Sequence, residues 1–473
     1  MSKVGRQAAT VIPSQRLVIS MSPGQTGRKR PSAPGGVAHL AEVAGQAVAV
    51  ASRPVGRAHL RPPDNQINKL MKINFIKLPN KTKEIIISVI FNAGKIFAPK
   101  KYPELPHLVE HLIANKLLED GYTYEAITGI EECAFSIYLT KKKFAEKIIN
   151  FFEILFENIR FDIQELNTEK KIIKKELLRN FDKIENQIYE LAIKNRFTKE
   201  TPYSNSQYPK IFTDEINLDM INNFYKKHFS LENCLINVGC DCITKNFQKK
   251  INSIISNSIF RLGTKKHKMS PPSFSGFKVS QKIQATNSLY LTLNWPSLRV
   301  KDSIGSRIAL WIVLDYLISN TSSVLYKKLR EEGIVYGCNW QNFILEEVGV
   351  SSINLSTEKN QVIGCIKIIL DEIEKIKQSK IQAKIIEQIK KNFIRDYKLL
   401  KQNNYKFFES KSYDAYYNDI CSDSKYCSTV KSIKINDLSN ISKKIFNYRF
   451  LNILMIGPRA NISQTNNLVK KYF

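Results

Sequence analysis

Long apolar runs are missing from this chain. The clearest hydrophobic stretch, residues 85–91, suits a buried strand. It falls far short of the roughly 18 to 20 residues that a membrane-spanning helix needs, so a helical membrane span is excluded. Acidic residues are scarce, with 43 Asp+Glu against 72 Lys+Arg and a formal net charge of +29. Histidine is scarcer still, with six in 473 residues. The eight cysteines all follow residue 132, and the closest pair, Cys240 and Cys242, has no second pair at zinc-ribbon spacing. That excludes a four-cysteine zinc site and points to reduced thiols in a cytosol-like compartment. The length excludes a small disulfide scaffold and suggests two or three domains.

Composition breaks near residue 66. Residues 1–66 hold seven Arg, two Lys and one Asn, whereas the remainder holds ten Arg and 53 Lys with abundant Ile and Asn. The leader has Glu42 and Asp64 as its only acids and too few large apolar residues to offset its ordering entropy, so it reads as a disordered basic segment over 1–70. Seven prolines, from Pro13 to Pro63, interrupt any long amphipathic helix. Two readings stand: an organellar transit segment, or an appended or upstream-translated stretch ahead of a start at Met71. The first implies an organellar matrix and the second a cytoplasmic protein. Without the leader the charge is still +22, spread over both halves with no basic block. With no zinc-finger, helix-turn-helix or RNP pattern, no nucleic-acid partner is expected.

Beyond the leader the same alternation of elements occurs twice. Residues 85–92 read as a buried strand, 106–118 as a helix opened by Pro106, 132–139 as a strand, and 142–158 and 162–189 as helices. Residues 218–228 read as a helix and 233–238 as a strand. A Lys-, Pro- and Ser-rich stretch, 263–284, reads as a linker between domains at 71–262 and 285–473. The second domain repeats the theme with strands at 289–295 and 350–356 and helices at 306–318, 322–331, 360–377 and 381–405.

Two of the four histidines after residue 66 fall in the string His107-Leu-Val-Glu110-His111. On a helix the i, i+3 and i+4 positions share a face, so both imidazoles and the Glu110 carboxylate project together. Imidazoles so spaced can chelate zinc while the carboxylate reaches a water there. A third protein ligand is needed, and the helix at 162–189 offers Glu169 and Glu176, seven apart on one face. Glu176 is the expected third ligand, one zinc per chain, with Glu110 as general base.

The inverted H-x-x-E-H string, with Asn92-Ala93-Gly94 upstream and two Glu seven apart downstream, resembles the pitrilysin/insulinase family of zinc endopeptidases. The closest style is that of mitochondrial processing peptidase and its bacterial relatives. The resemblance implies His107, His111 and Glu176 as ligands, Glu110 as base and Glu169 as a supporting carboxylate. Residues 325–336 add a second match, implying that Arg330 and Tyr336 face the zinc across a chamber and steady the oxyanion. The implied fold is α+β: two homologous domains, each a mostly antiparallel sheet packed against helices, forming half of a clamshell. A homodimer, or a heterodimer with a related chain, would close it around an unfolded peptide added as a strand at a sheet edge.

Three departures from the family pattern bear on function. His111 and Glu176 are closer in sequence than is usual, with the deficit between residues 112 and 124, which would trim the chamber. Glu125-Ala126 stands where the substrate-pairing strand usually carries Asn-Ala. Arg330 and Tyr336 are six residues apart where seven is usual. The expected function is zinc-dependent endopeptidase. The alternatives are a non-catalytic, substrate-presenting subunit of a heterodimeric peptidase, or a maturase dedicated to one modified peptide.

Overall fold

Alternation along strand β2 (Glu84–Phe91) organises the first half of the molecule. Ile85, Ile87, Val89 and Phe91 enter one apolar core, while Ile86 joins a separate cluster on the opposite face. A strand buried on both sides reads as a continuous apolar run, which is what residues 85–91 are. The computed structural model describes residues 72–473 except 143, 157, 158, 160, 205–211, 259–268, 320–322 and 336. The leader expected over 1–70 lies outside the described residues.

The first half also contains β1 (Ile73–Lys77), β3 (Tyr124–Thr128), β4 (Cys133–Thr140) and β5 (Cys234–Cys240). Its helices are α1 (Leu105–Glu119), α2 (Phe144–Phe156), α3 (Ile163–Phe181), α4 (Ile184–Arg196), α5 (Leu218–His228) and α6 (Lys245–Ser256). The sheet order is β1-β5-β2-β4-β3, with β1 parallel to β5 and the other pairs antiparallel.

The second half contains β6 (Lys278–Ile283), β7 (Leu289–Pro296), β8 (Cys338–Ile344), β9 (Gly349–Thr357) and β10 (Asn452–Gly457). Its helices are α7 (Ile304–Ile318), α8 (Val324–Glu331), α9 (Val362–Lys377), α10 (Ala383–Leu400), α11 (Asn404–Tyr416), α12 (Asp423–Ser432), α13 (Ile435–Ile445) and α14 (Ile462–Lys470). Its sheet order, β6-β10-β7-β9-β8, repeats the first strand for strand, including the one parallel pair. The fold is therefore α+β with two equivalent five-stranded sheets. The stretch read from composition as a linker, 263–284, holds the edge strand β6.

The halves exchange one helix each. From the first half, α4 packs on β10, β6 and β7 of the second sheet, and from the second half α11 packs on β1, β2 and β5 of the first. Each sheet is thus covered on one face by its own helices and on the other by its partner's. This explains why 162–189, expected as one helix, is two: α3 stops at Phe181, and the Asp182-Lys183 break lets α4 turn towards the other sheet. Asn80 and Asn404 tie the seam: Asn404 Nδ2 donates to the Asn80 carbonyl at 3.0 Å and Asn80 Nδ2 to the Lys401 carbonyl at 2.8 Å. Glu131, buried at the same seam, accepts from the Tyr203 hydroxyl at 2.7 Å and from the Glu346 backbone N–H.

In both halves the chain leaving the central strand passes close to the hairpin loop before the next strand. A Cβ on Gly94 would sit 2.5 Å from backbone atoms of Ile130, Glu131 and Glu132, and one on Gly349 would sit 1.9 Å from the Leu298 carbonyl oxygen. Both crossings require glycine because only hydrogen fits there.

Among the described residues no helix is long and apolar enough to cross a membrane. All eight cysteines are free thiols.

Candidate metal centre

Helix α1 is the platform. Pro106 stands in its first turn, where the missing N–H costs nothing. Leu108, Val109, Leu112 and Ile113 are fully buried, each contributing about 1.5–3 kcal/mol to fixing the helix in place. The helix ends in a tight turn. Gly121 takes φ +69° and its N–H bonds the Leu118 carbonyl, so the chain enters β3 at once.

The same face of α1 carries His107, Glu110 and His111, whose donor atoms all lie within 4.8 Å of one another. The two rings stand edge to face with centroids 4.7 Å apart. Helix α3, begun by Asp162 accepting from the Gln164 and Glu165 amides, brings its own carboxylates to this face. Glu176 Oε2 lies 4.0 Å from His107 Nε2, and Glu110 Oε2 lies 3.9 Å from the same nitrogen. A Lys116–Glu165 ion pair at 2.7 Å also joins α1 to α3.

Each imidazole is held from behind. His107 Nδ1 meets Glu104 Oε2 at 3.0 Å, and His111 Nδ1 meets Glu169 Oε2 at 2.7 Å. An ionised carboxylate only accepts, so each neutral ring carries its proton on Nδ1 and turns an Nε2 lone pair forward. The supports have supports: Lys95 Nζ bonds Glu104 Oε1 at 2.7 Å, and Asn115 Nδ2 bonds Glu169 Oε1 at 2.9 Å. Thr128, at the end of β3, donates to Glu110 Oε2 at 3.2 Å.

These contacts fix the charges. Burial works to raise the Glu104 pKa, but the Lys95 ammonium and the bond to His107 override it and bring it down to about 2. Burial opposes charge on His111, yet the Glu169 hydrogen bond and the charges of Glu110, Glu169 and Glu176 raise its pKa. Glu169 is likewise desolvated, and its bonds to His111 and Asn115 bring its pKa below the usual carboxylate value.

The donor set fits a zinc ion. Ligands placed tetrahedrally at about 2.0–2.1 Å stand roughly 3.4 Å apart. The one separation between expected ligands on two helices, His107 Nε2 to Glu176 Oε2 at 4.0 Å, is about 0.6 Å longer than that. Among the described residues His107, Glu110 and His111 form the one group of three His, Cys, Asp or Glu side chains so gathered, and Glu176 stands outside it, beside His107. In the second sheet's half the equivalent helix, α7, contains no histidine.

Other expected residues fall differently. Arg330 is exposed at the end of α8, and among the described residues no hydrogen bond or ion pair joins its guanidinium to the His107 cluster. Tyr336 lies outside the described residues. Glu125 and Ala126 are on β3, an edge strand paired with β4 alone. Ala126 packs on the α1 side, with Tyr124 and Thr128, whereas Glu125 and Ile127 face a cavity on the other side of the sheet. Sequence reading missed Glu104, Lys95, Asn115 and Thr128. Glu104 and Asn115 were within reach, standing three before His107 and four after His111 on one helical face.

Residues 215–393 match the family model described as Peptidase M16 inactive domain. No curated protein matches the chain. Many solved structures share its fold, three of them as follows. A protease from Helicobacter pylori has a TM-score of 0.70 at 15% identity, covering 82% of this chain and 97% of that one. A peptidase M16 inactive domain from Pseudomonas fluorescens has a TM-score of 0.71 at 15% identity, covering 82% and 96%. A chain of complex III2 from Candida albicans, solved with Inz-5 bound, has a TM-score of 0.69 at 15% identity, covering 84% and 97%.

Proposed function

We propose that this chain is a zinc-dependent endopeptidase of the pitrilysin/insulinase (M16) type that cleaves unfolded peptides laid as an added strand along β3. One observation carries the reading: two imidazoles on a single helical turn, each tied through Nδ1 to a buried carboxylate, with Glu110 and Glu176 about 4 Å from the forward nitrogen of His107.

His107, His111 and Glu176 would hold the zinc, one per chain. Bound there, zinc supplies Lewis acidity that polarises a peptide carbonyl and lowers the pKa of water. Glu104 and Glu169 keep both rings in the tautomer that can ligate. Glu110, steadied by the Thr128 hydroxyl, accepts the proton of the attacking water and hands it to the departing amine. The open edge of β3 offers main-chain N–H and C=O groups to the peptide beside Glu110, which aligns the scissile bond. Arg330 and Tyr336 remain proposed contributors to gripping the substrate.

A second reading is a non-catalytic, substrate-presenting subunit that works beside a related chain. The comparisons favour it: the matched family model is described as an inactive domain, and a chain of complex III2 shares the fold. The matched residues, 215–393, begin after Glu176, so they leave out the His107 cluster on which the catalytic reading rests. A maturase with one narrow substrate is the third form of the proposal.

Purified chain loaded with zinc, assayed on a library of unstructured peptides, separates these readings. Glu110→Gln is expected to lower cleavage by at least about 100-fold while zinc stays bound. Stoichiometric zinc with no turnover by the unsubstituted chain on any peptide rules out the general endopeptidase.

A further inference from the structure

Carboxylates surround the metal centre: Glu104, Glu110, Glu169 and Glu176. Hydrolysis of a peptide bond there builds further negative charge on the former carbonyl oxygen, so the site needs a hydrogen-bond donor free to face it. Most donors around the cluster are already committed. Lys95 Nζ bonds Glu104 at 2.7 Å, Asn115 Nδ2 bonds Glu169 at 2.9 Å, and the Thr128 hydroxyl bonds Glu110 at 3.2 Å. Arg330 is exposed at the end of α8, with no bond to the cluster among the described residues.

Tyr124 stands apart from these. It opens β3, on which α1 packs directly. Alternation along the strand sets Tyr124, Ala126 and Thr128 on the α1 side, while Glu125 and Ile127 face the opposite way. The Tyr124 ring packs against the core beneath α1 but is only part buried, so its hydroxyl is open to an incoming group. Among the described residues that hydroxyl makes no hydrogen bond. Burial raises its pKa and the charges of Glu110 and Glu169 raise it further, which sets both carboxylates in its neighbourhood and keeps the phenol protonated as a donor.

We infer that Tyr124 is a further catalytic residue of the proposed hydrolysis, its hydroxyl donating a hydrogen bond to the oxyanion that forms when water adds to the scissile carbonyl. The inference rests on the proposed peptidase function and gives it a donor from the same half of the molecule as His107, Glu110 and His111. In the step, the water oxygen bonds the carbonyl carbon, the carbonyl π pair moves onto its oxygen, and Glu110 takes the water's proton. Tyr124 keeps its own proton and shares it with the new oxyanion. As the pair returns, the C–N bond breaks and Glu110 delivers its proton to the amine. A donor that engages the oxygen only after addition stabilises the transition state and not the bound substrate. Its loss lowers kcat on the order of 100-fold and leaves KM in place.

Tyr124→Phe keeps the ring and removes the hydroxyl. The full zinc-loaded chain, unsubstituted and substituted, is compared in kcat and KM on an unstructured peptide. Its affinity is measured for a phosphinic peptide of the same sequence, whose charged oxygens mimic the tetrahedral adduct. Zinc affinity and the urea midpoint are measured alongside. Expected is a kcat loss on the order of 100-fold with phosphinic affinity weakened in parallel, and KM, zinc affinity and midpoint unchanged. Unchanged kcat and phosphinic affinity in Tyr124→Phe, beside an unsubstituted chain that cleaves the peptide or binds the phosphinic one, overturns the inference alone. A loss confined to KM, zinc affinity or the midpoint also overturns it, because that assigns the side chain to packing. An unsubstituted chain that neither cleaves the peptide nor binds the phosphinic one overturns the peptidase reading and the inference together.

Discussion

Glu104→Gln probes the support behind His107. Glu104 is 3% exposed and Lys95 7%, and their ion pair is 2.7 Å long, so the substitution breaks an ion pair in the interior. Breaking a buried pair in this way costs about 3–5 kcal/mol. The amide also cannot serve both neighbours. If its oxygen faces Lys95, its NH₂ faces His107 Nδ1, which must then give up its proton and place it on Nε2, the nitrogen meant to ligate. Lost support of this kind lowers metal affinity by about 10–100-fold, or roughly 1.4–2.7 kcal/mol. The assay is a pair of measurements on each protein: urea unfolding of the metal-free chain, and zinc affinity by chelator competition. Adding Lys95→Met removes the ammonium and frees the Gln oxygen for His107. The double variant should therefore regain at least about 2 kcal/mol of stability while its zinc affinity stays below that of the unsubstituted chain, since a neutral amide raises imidazole basicity less than a carboxylate. A single variant with unchanged zinc affinity and a stability loss under about 1 kcal/mol would refute the reasoning.

Two further outcomes test the fold around the site. Asp315 in α7 is 9% exposed, and burial raises its pKa from 3.8 to about 6 in spite of hydrogen bonds from Ser319 and Trp340. A raised acid favours the folded state when protonated, so about 3 kcal/mol of stability is lost as pH rises from near 4 through 6. Asp315→Asn should match the unsubstituted chain near pH 4 and exceed it by about that amount at pH 7, and parallel denaturation curves across pH would contradict this. Gly94→Ala pushes a Cβ to within 2.5 Å of the backbone around Glu131, whereas Gly364→Ala in α9 meets nothing within 4 Å. The first should lower the unfolding midpoint by more than about 2 kcal/mol equivalent and the second should raise it by about 0.5–1 kcal/mol; equal shifts would show that close approach does not decide the outcome.

What was legible in the sequence followed local periodicity. Pro106 and the apolar face of 105–117 announced α1 to within a residue or so, and the run at 85–91 announced β2. The imidazole pair and Glu110 needed only the i, i+3, i+4 rule. Glu169 and Glu176 were reachable because seven residues is two helical turns. Lys95 and Thr128 were not, since their partners come from tertiary packing rather than spacing. Strand β6 was missed because Lys, Ser and Gln dominate its exposed edge position, and composition there looks like a linker. The break between α3 and α4 was invisible for a related reason. Nothing local forbids a continuous helix, and the turn exists because α4 is needed on the other sheet.

That exchange of helices has a mechanical consequence. Neither half can shield its own outer sheet face, so a chain severed between residues 258 and 269 would keep its two fragments clasped, each supplying the cover the other lacks. Swinging the halves apart would strip both sheets at once. Motion that admits a peptide is therefore better sought between whole chains than within one.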